Sequence, residues 1–111
     1  MLTPIPRIAL LLAVLLKRSG KTRGRLSEKT LRLLSGRKTL RERLIEDVQG
    51  SLDDLGVLMV RLERGGFALV AYSALEGAPP LAASQLLKDR KGLSDEDLWE
   101  ELEITSDESE E

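Results

Sequence analysis

The stretch LGVLMVRLERGGFALV, Leu55 to Val70, decides the architecture. Val57 to Leu62 is rich in branched aliphatic residues and reads as a strand. Glu63-Arg64-Gly65-Gly66 reads as a turn, and Phe67 to Tyr72 as a second strand. Two apolar runs around a glycine-containing turn predict an antiparallel hairpin. Leu55-Gly56 stands where a helix ends, because glycine adopts the left-handed backbone of a helix C-terminus at no steric cost.

Working upstream, three helices precede the hairpin. Pro4 and Pro6 open the first, and Ile8 to Lys17 has no polar residue before the lysine, so burial nearly all round is expected. Lys17 to Leu26 carries two glycines and reads as a turn. Ser27 is a candidate N-cap with Glu28 in the first turn of a short second helix, which Gly36 ends. Thr39-Leu40-Arg41-Glu42 has the form of a capping box and predicts a third helix from Leu40. Gly50-Ser51 leaves open whether that helix is bent or split. The expected core is Leu11, Leu12, Leu15, Leu31, Leu34, Leu44, Val48 and Leu55.

Downstream, Pro79-Pro80 ends the hairpin region and Leu81 to Arg90 predicts a fourth helix. After Gly92, the stretch LSDEDLWEELEI places Ser94 and Asp97 as a capping pair, with Leu98, Trp99 and Leu102 on one side of a short acidic helix. Thr105 to Glu111 is acidic with almost nothing apolar to bury, so disorder is expected there. The expected division is residues 1–91 as one domain with its C-terminal helix, and 92–111 as an acidic tail.

The net charge of −2 hides an asymmetry. Residues 1–91 hold 17 basic and 9 acidic side chains, a balance of +8, whereas residues 92–111 hold no basic and 10 acidic ones, or −10. Between Lys17 and Arg43 stand eleven lysines and arginines against Glu28 and Glu42. A basic body with an acidic tail implies a polyanion partner for the body and a separate role for the tail.

Composition limits the chemistry. Cysteine and histidine are both absent, which removes disulfides, thiol nucleophiles, Cys/His zinc sites and histidine bases together. Gly20-Lys21-Thr22 ends like a phosphate-binding loop, but the first glycine of that motif belongs at position 15, where Leu15 stands. No enzyme activity, cofactor or metal is therefore expected. The paired acids Asp53-Asp54 and Asp95-Glu96-Asp97 read as helix-end or tail charges. The apolar run Ile8 to Leu16 falls short of the roughly 20 residues that span a bilayer, and a cytoplasmic protein without membrane insertion is expected.

The order of elements from Ile5 to Tyr72 resembles the winged helix-turn-helix superfamily, an α+β, mainly helical fold. The resemblance is carried by LSEKTLRLLSGRKTLRERLIEDVQGSLDDLGVLMVRLERGGFALV. It implies three helices, a two-stranded wing, and a third helix that enters the DNA major groove while the wing touches the backbone. Carried over by position, Arg37, Lys38 and Arg41 belong to the start of the third helix and Arg43 to its flank. Arg61 and Arg64 belong to the wing, and Lys21, Arg23, Arg25 and Lys29 to the start of the second helix. On the third helix, Glu42, Glu46, Gln49 and Asp53 oppose Leu44 and Val48, which leaves Gln49 as the one neutral base-reading candidate.

The expectation is a DNA-binding protein, either a small transcription regulator or a chromosome- or plasmid-associated factor. Homodimerisation through the apolar first helix is expected, as is a protein partner for Leu98, Trp99 and Leu102. The alternative is a winged-helix protein-interaction module without DNA contact.

Overall fold

The computed structural model describes residues 2–110, with side chains described as far as Glu103. It divides into two compact units, Met1–Ala78 and Pro79–Glu111. The first begins with α1 (Ile5–Arg18), β1 (Arg23–Leu26), α2 (Glu28–Ser35) and α3 (Glu42–Asp54). The hairpin β2 (Val57–Arg61) and β3 (Phe67–Ala71) and the short α4 (Tyr72–Glu76) complete it. The second unit holds α5 (Ala83–Leu86), a single 3-10 turn over Arg90–Gly92, and α6 (Asp95–Glu110). The class is α+β, with helices in the majority.

The hairpin forms where expected. Val57 pairs with Ala71 and Arg61 with Phe67, antiparallel. Leu62 N–H donates to the Gly66 carbonyl at 3.0 Å, and Gly65 N–H to the Leu62 carbonyl at 3.1 Å, closing the turn. A third strand joins it: β1 pairs with β3 from Arg23↔Val70 to Leu26↔Phe67, giving the order β1-β3-β2. The expected turn over Lys17–Leu26 is thus corrected. In RGRL only Leu26 is apolar and buried, so four residues carry too little alternation to mark a strand. The open edge of β3 supplies the partner.

One face of the sheet makes the core. Val57, Met59, Phe67, Leu69 and Leu26 point inward onto Ile8, Ala9, Leu12 and Leu16 of α1, Leu31 of α2, and Leu44, Ile45, Val48 and Leu52 of α3. The inward positions of α1 form a single stripe, so its burial all round is also corrected: Leu10, Val14 and Leu15 face outward. Leu15 is 46% exposed and Leu55 43%, and neither belongs to the core. Leu55 follows the last turn of α3, off its buried stripe. Leu11 is half-buried, and Leu34 packs on the core's margin.

The caps show which local signals hold. Ser27 Oγ accepts from Thr30 N–H at 3.1 Å, and Gly36 ends α2 with φ 71°. Gly56 follows α3 with φ 78°. Thr39, however, caps nothing: α3 begins at Glu42 with Arg41 as an extended N-cap. Leu40 packs against the core, and the helix starts two residues after the expected position, with Arg41 still extended. α3 runs unbroken through Gly50-Ser51. Tyr72, expected in the strand, starts α4.

In the second unit the fourth helix shrinks from the expected Leu81–Arg90 to Ala83–Leu86, and it buries no residue that would hold a longer one. The capping pair before α6 is reciprocal: Asp97 N–H donates to Ser94 Oγ at 3.2 Å, and Ser94 N–H to Asp97 Oδ2 at 3.0 Å. Disorder is expected from Thr105, and this is corrected: α6 continues through Glu110, while Glu111 lies outside the described residues. No described helix is long and apolar enough to cross a membrane.

Gly66 sets the hairpin against the rest of the unit. Its φ is 81°, and a Cβ there would stand 2.7 Å from the Leu26 carbonyl oxygen. Gly66→Ala is therefore expected to lower unfolding free energy by about 1–3 kcal/mol or more through backbone strain alone. Leu44→Ala should cost about 2–5 kcal/mol by emptying a buried site. Leu55→Ala should cost less than Leu44→Ala. Urea titration of the three variants checks the ranking.

Candidate nucleic-acid interface

The sequence nominates eleven residues for polyanion contact, and the structure sorts them by what already holds them. Arg37 is built into the fold. Its Nη1 donates to the Thr3 carbonyl at 2.9 Å and to the Ser35 carbonyl at 3.1 Å. Thr3 N–H reaches the same Ser35 carbonyl at 3.0 Å, so Arg37 ties the N-terminal segment to the end of α2. Arg43 Nε lies 3.3 Å from Asp47 Oδ1, one turn along α3.

Arg61 stands at the turn end of the hairpin. Its Nη1 is 2.7 Å from Glu42 Oε2 and its Nη2 is 3.9 Å from Glu28 Oε1. Those two carboxylates stand in the first turns of α3 and α2, where the helix dipole already favours them. One arginine thereby joins the end of β2 to the starts of both helices.

Gln49 is also occupied. Its Nε2 donates to the Met59 carbonyl at 3.1 Å. Met59 lies on β2, an edge strand of the sheet, so Gln49 satisfies a main-chain acceptor that the sheet itself leaves open. Sequence reasoning missed this role because nothing in a linear chain marks which strand will be the edge.

Seven residues remain without an ion-pair partner among the described residues: Lys21, Arg23, Arg25, Lys29, Lys38, Arg41 and Arg64. All seven are exposed. Arg25 and Lys29 meet Arg64 of the hairpin turn around one shallow hollow, which Ser27, Gly65 and Gly66 also line. The close approach of Gly66 to Leu26 brings the turn to this place. Arg23 and Arg25 lie on the outer face of the sheet, in register with Val70 and Ala68 of β3. Val70 and Ala68 in turn face Leu58 and Val60 of β2. That face is thus an aliphatic floor with two arginines along one side.

The third helix has the opposite sign. Glu42–Asp54 contains one arginine and five carboxylates, a balance of −4. Asp53 accepts a hydrogen bond from the Tyr72 hydroxyl. A carboxylate brought within about 4 Å of a phosphate costs about 1 kcal/mol in bulk water and about 4 kcal/mol at a protein surface.

Two apolar features complete the surface. Leu11, Val14 and Leu15 of α1 and Leu34 of α2 line a shallow groove in the first unit. On α6, Leu98, Trp99 and Leu102 are all exposed, Trp99 to 65%.

Arg61→Ala is expected to lower stability by about 0.2–1 kcal/mol, the range for an exposed ion pair. That loss should shrink in 1 M salt, where the screening length falls to about 3 Å. Thermal melts of parent and variant at low and high salt provide the check.

No family model matches the chain, and no curated protein or solved structure matches it either.

Proposed function

We propose that this chain is a DNA-binding protein of winged-helix type, without enzyme activity, acting as a small regulator or a chromosome- or plasmid-associated factor. The helix order and the three-stranded sheet β1-β3-β2 support the winged-helix reading. The observation that carries the function is the sorting of cations. Seven of the nominated lysines and arginines are exposed with no carboxylate partner among the described residues, and three of them surround one hollow. Fixed, unpaired positive charge on a folded surface gains most from a polymer of phosphates, through release of condensed counterions.

Around that activity stand two further contacts. The exposed Leu10, Val14 and Leu15 of α1 suit a second copy of the chain, as a homodimer joined helix to helix. The acidic segment, at −10 over residues 92–111, competes with phosphate for the basic surface at low salt. Its Leu98, Trp99 and Leu102 suit a partner's apolar groove. These same exposed apolar residues favour the second reading, a protein-interaction module without DNA contact.

A mobility shift on duplex DNA over a range of salt decides between the two. With about five phosphates neutralised, log K should fall against log salt with a slope of about −4 to −5. A chain that retards no DNA at low salt would leave the interaction-module reading standing.

Removing residues 93–111 should tighten DNA binding at low salt, with the gain shrinking as salt rises; equal affinities at low salt would exclude the competing role. Light scattering at high micromolar concentration should show a dimer that Leu15→Glu converts to monomer.

A further inference from the structure

Three neighbouring hollows in the Met1–Ala78 unit share their walls. Arg25, Lys29 and Arg64 border the first. Lys29 and Lys38 border the second, and Lys38 and Arg41 the third. Lys29 therefore belongs to two of them, and so does Lys38. The middle hollow lies on α2, whose eight residues span about 12 Å at 1.5 Å per residue. Leu33, 79% exposed, lines that hollow between the two lysines.

We propose that DNA is held along the outer side of α2, with one phosphate backbone running from the hairpin turn to the α2–α3 turn, and that the exposed face of α3 stays outside the major groove. The proposal rests on the DNA-binding reading above and specifies how that binding is done.

Charge separates the two surfaces. The five cations of the α2 track have no carboxylate partner among the described residues. Glu28 is the one acid on its walls up to Lys38, and it faces Arg61 and Arg32. Asp47, in the third hollow, faces Arg43. The exposed face of α3 presents Glu46 and Asp54 without such partners among the described residues. Its one neutral base-reading side chain, Gln49, already spends its amide on Met59.

Phosphate contacts position a protein without reading sequence, whereas base contacts specify it. A track built only of the former gives binding that tolerates sequence. Neutralisation of one phosphate by each of the five cations also accounts for the expected salt slope.

The test uses the full chain and three variants, two altered at exposed positions and one at the half-buried Gln49, with circular-dichroism melts to verify folding. Lys29→Ala/Lys38→Ala should reduce the salt slope by about two units, one for each phosphate that is no longer neutralised. Leu33→Glu sets a carboxylate in the middle of the track and should weaken binding by tenfold or more at low salt. Gln49→Ala should leave affinity within about twofold on every duplex tried. Binding that survives Lys29→Ala/Lys38→Ala and Leu33→Glu but falls with Gln49→Ala would overturn the α2 track while leaving DNA binding intact. A parent chain that binds no DNA would overturn both.

Discussion

Gly66 has room for a hydrogen and nothing larger. Its backbone is left-handed, and the Leu26 carbonyl closes the space a side chain would need. This contact fixes where the hairpin turn sits relative to the β1–α2 junction. Much of the polar surface follows from it. Arg64 is carried on the turn, Arg25 on the strand it approaches, and Lys29 on the first turn of the helix that follows. A hairpin that stood away from the junction would leave these three charges as separate points on a surface.

The fold also disposes of charge. A count of lysines and arginines makes the first ninety residues basic, but the count overstates what is available to a ligand. Arg37 holds the N-terminal segment, Arg43 pairs along its own helix, and Arg61 joins the hairpin to two helix starts. Each is a polyanion candidate that the structure uses internally. Of the nominated cations, those left over lie on β1 and the turn before it, on α2, between α2 and α3, and on the hairpin turn, while α3 keeps an excess of carboxylates. Position in the order of helices and strands therefore says less about availability to a ligand here than the partner each side chain has already found.

Local signals in the sequence carried far where one or two residues set the geometry. The hairpin around Gly65-Gly66, the Ser27 and Ser94 caps, and the helix ends at Gly36 and Gly56 all form where the chain suggests. The failures have a common cause, which is that tertiary contacts decided them. β1 exists because β3 offers an unpaired edge, and RGRL alone does not announce it. Thr39 has the residue type and spacing of a cap, but the packing of Leu40 moves the helix start past it. Leu15 and Leu55 are apolar and well spaced, but only one stripe of α1 is covered, and Leu55 stands past the end of α3, off its buried stripe. For the interface, residue type was legible and availability was not. Nothing near Gln49 in the chain names Met59 as its partner, and nothing near Arg61 names Glu42.

The bond from Gln49 to Met59 has a bearing on how the molecule meets copies of itself. A three-stranded sheet has two free margins, and each is a template on which a stray strand could grow. At one margin the glutamine amide occupies the Met59 carbonyl that an incoming strand would need. At the other, β1 is four residues long and carries two arginines, so a second copy laid alongside would bring like charges together. Both margins are thereby guarded against runaway sheet extension, the route by which small β-containing chains form fibres.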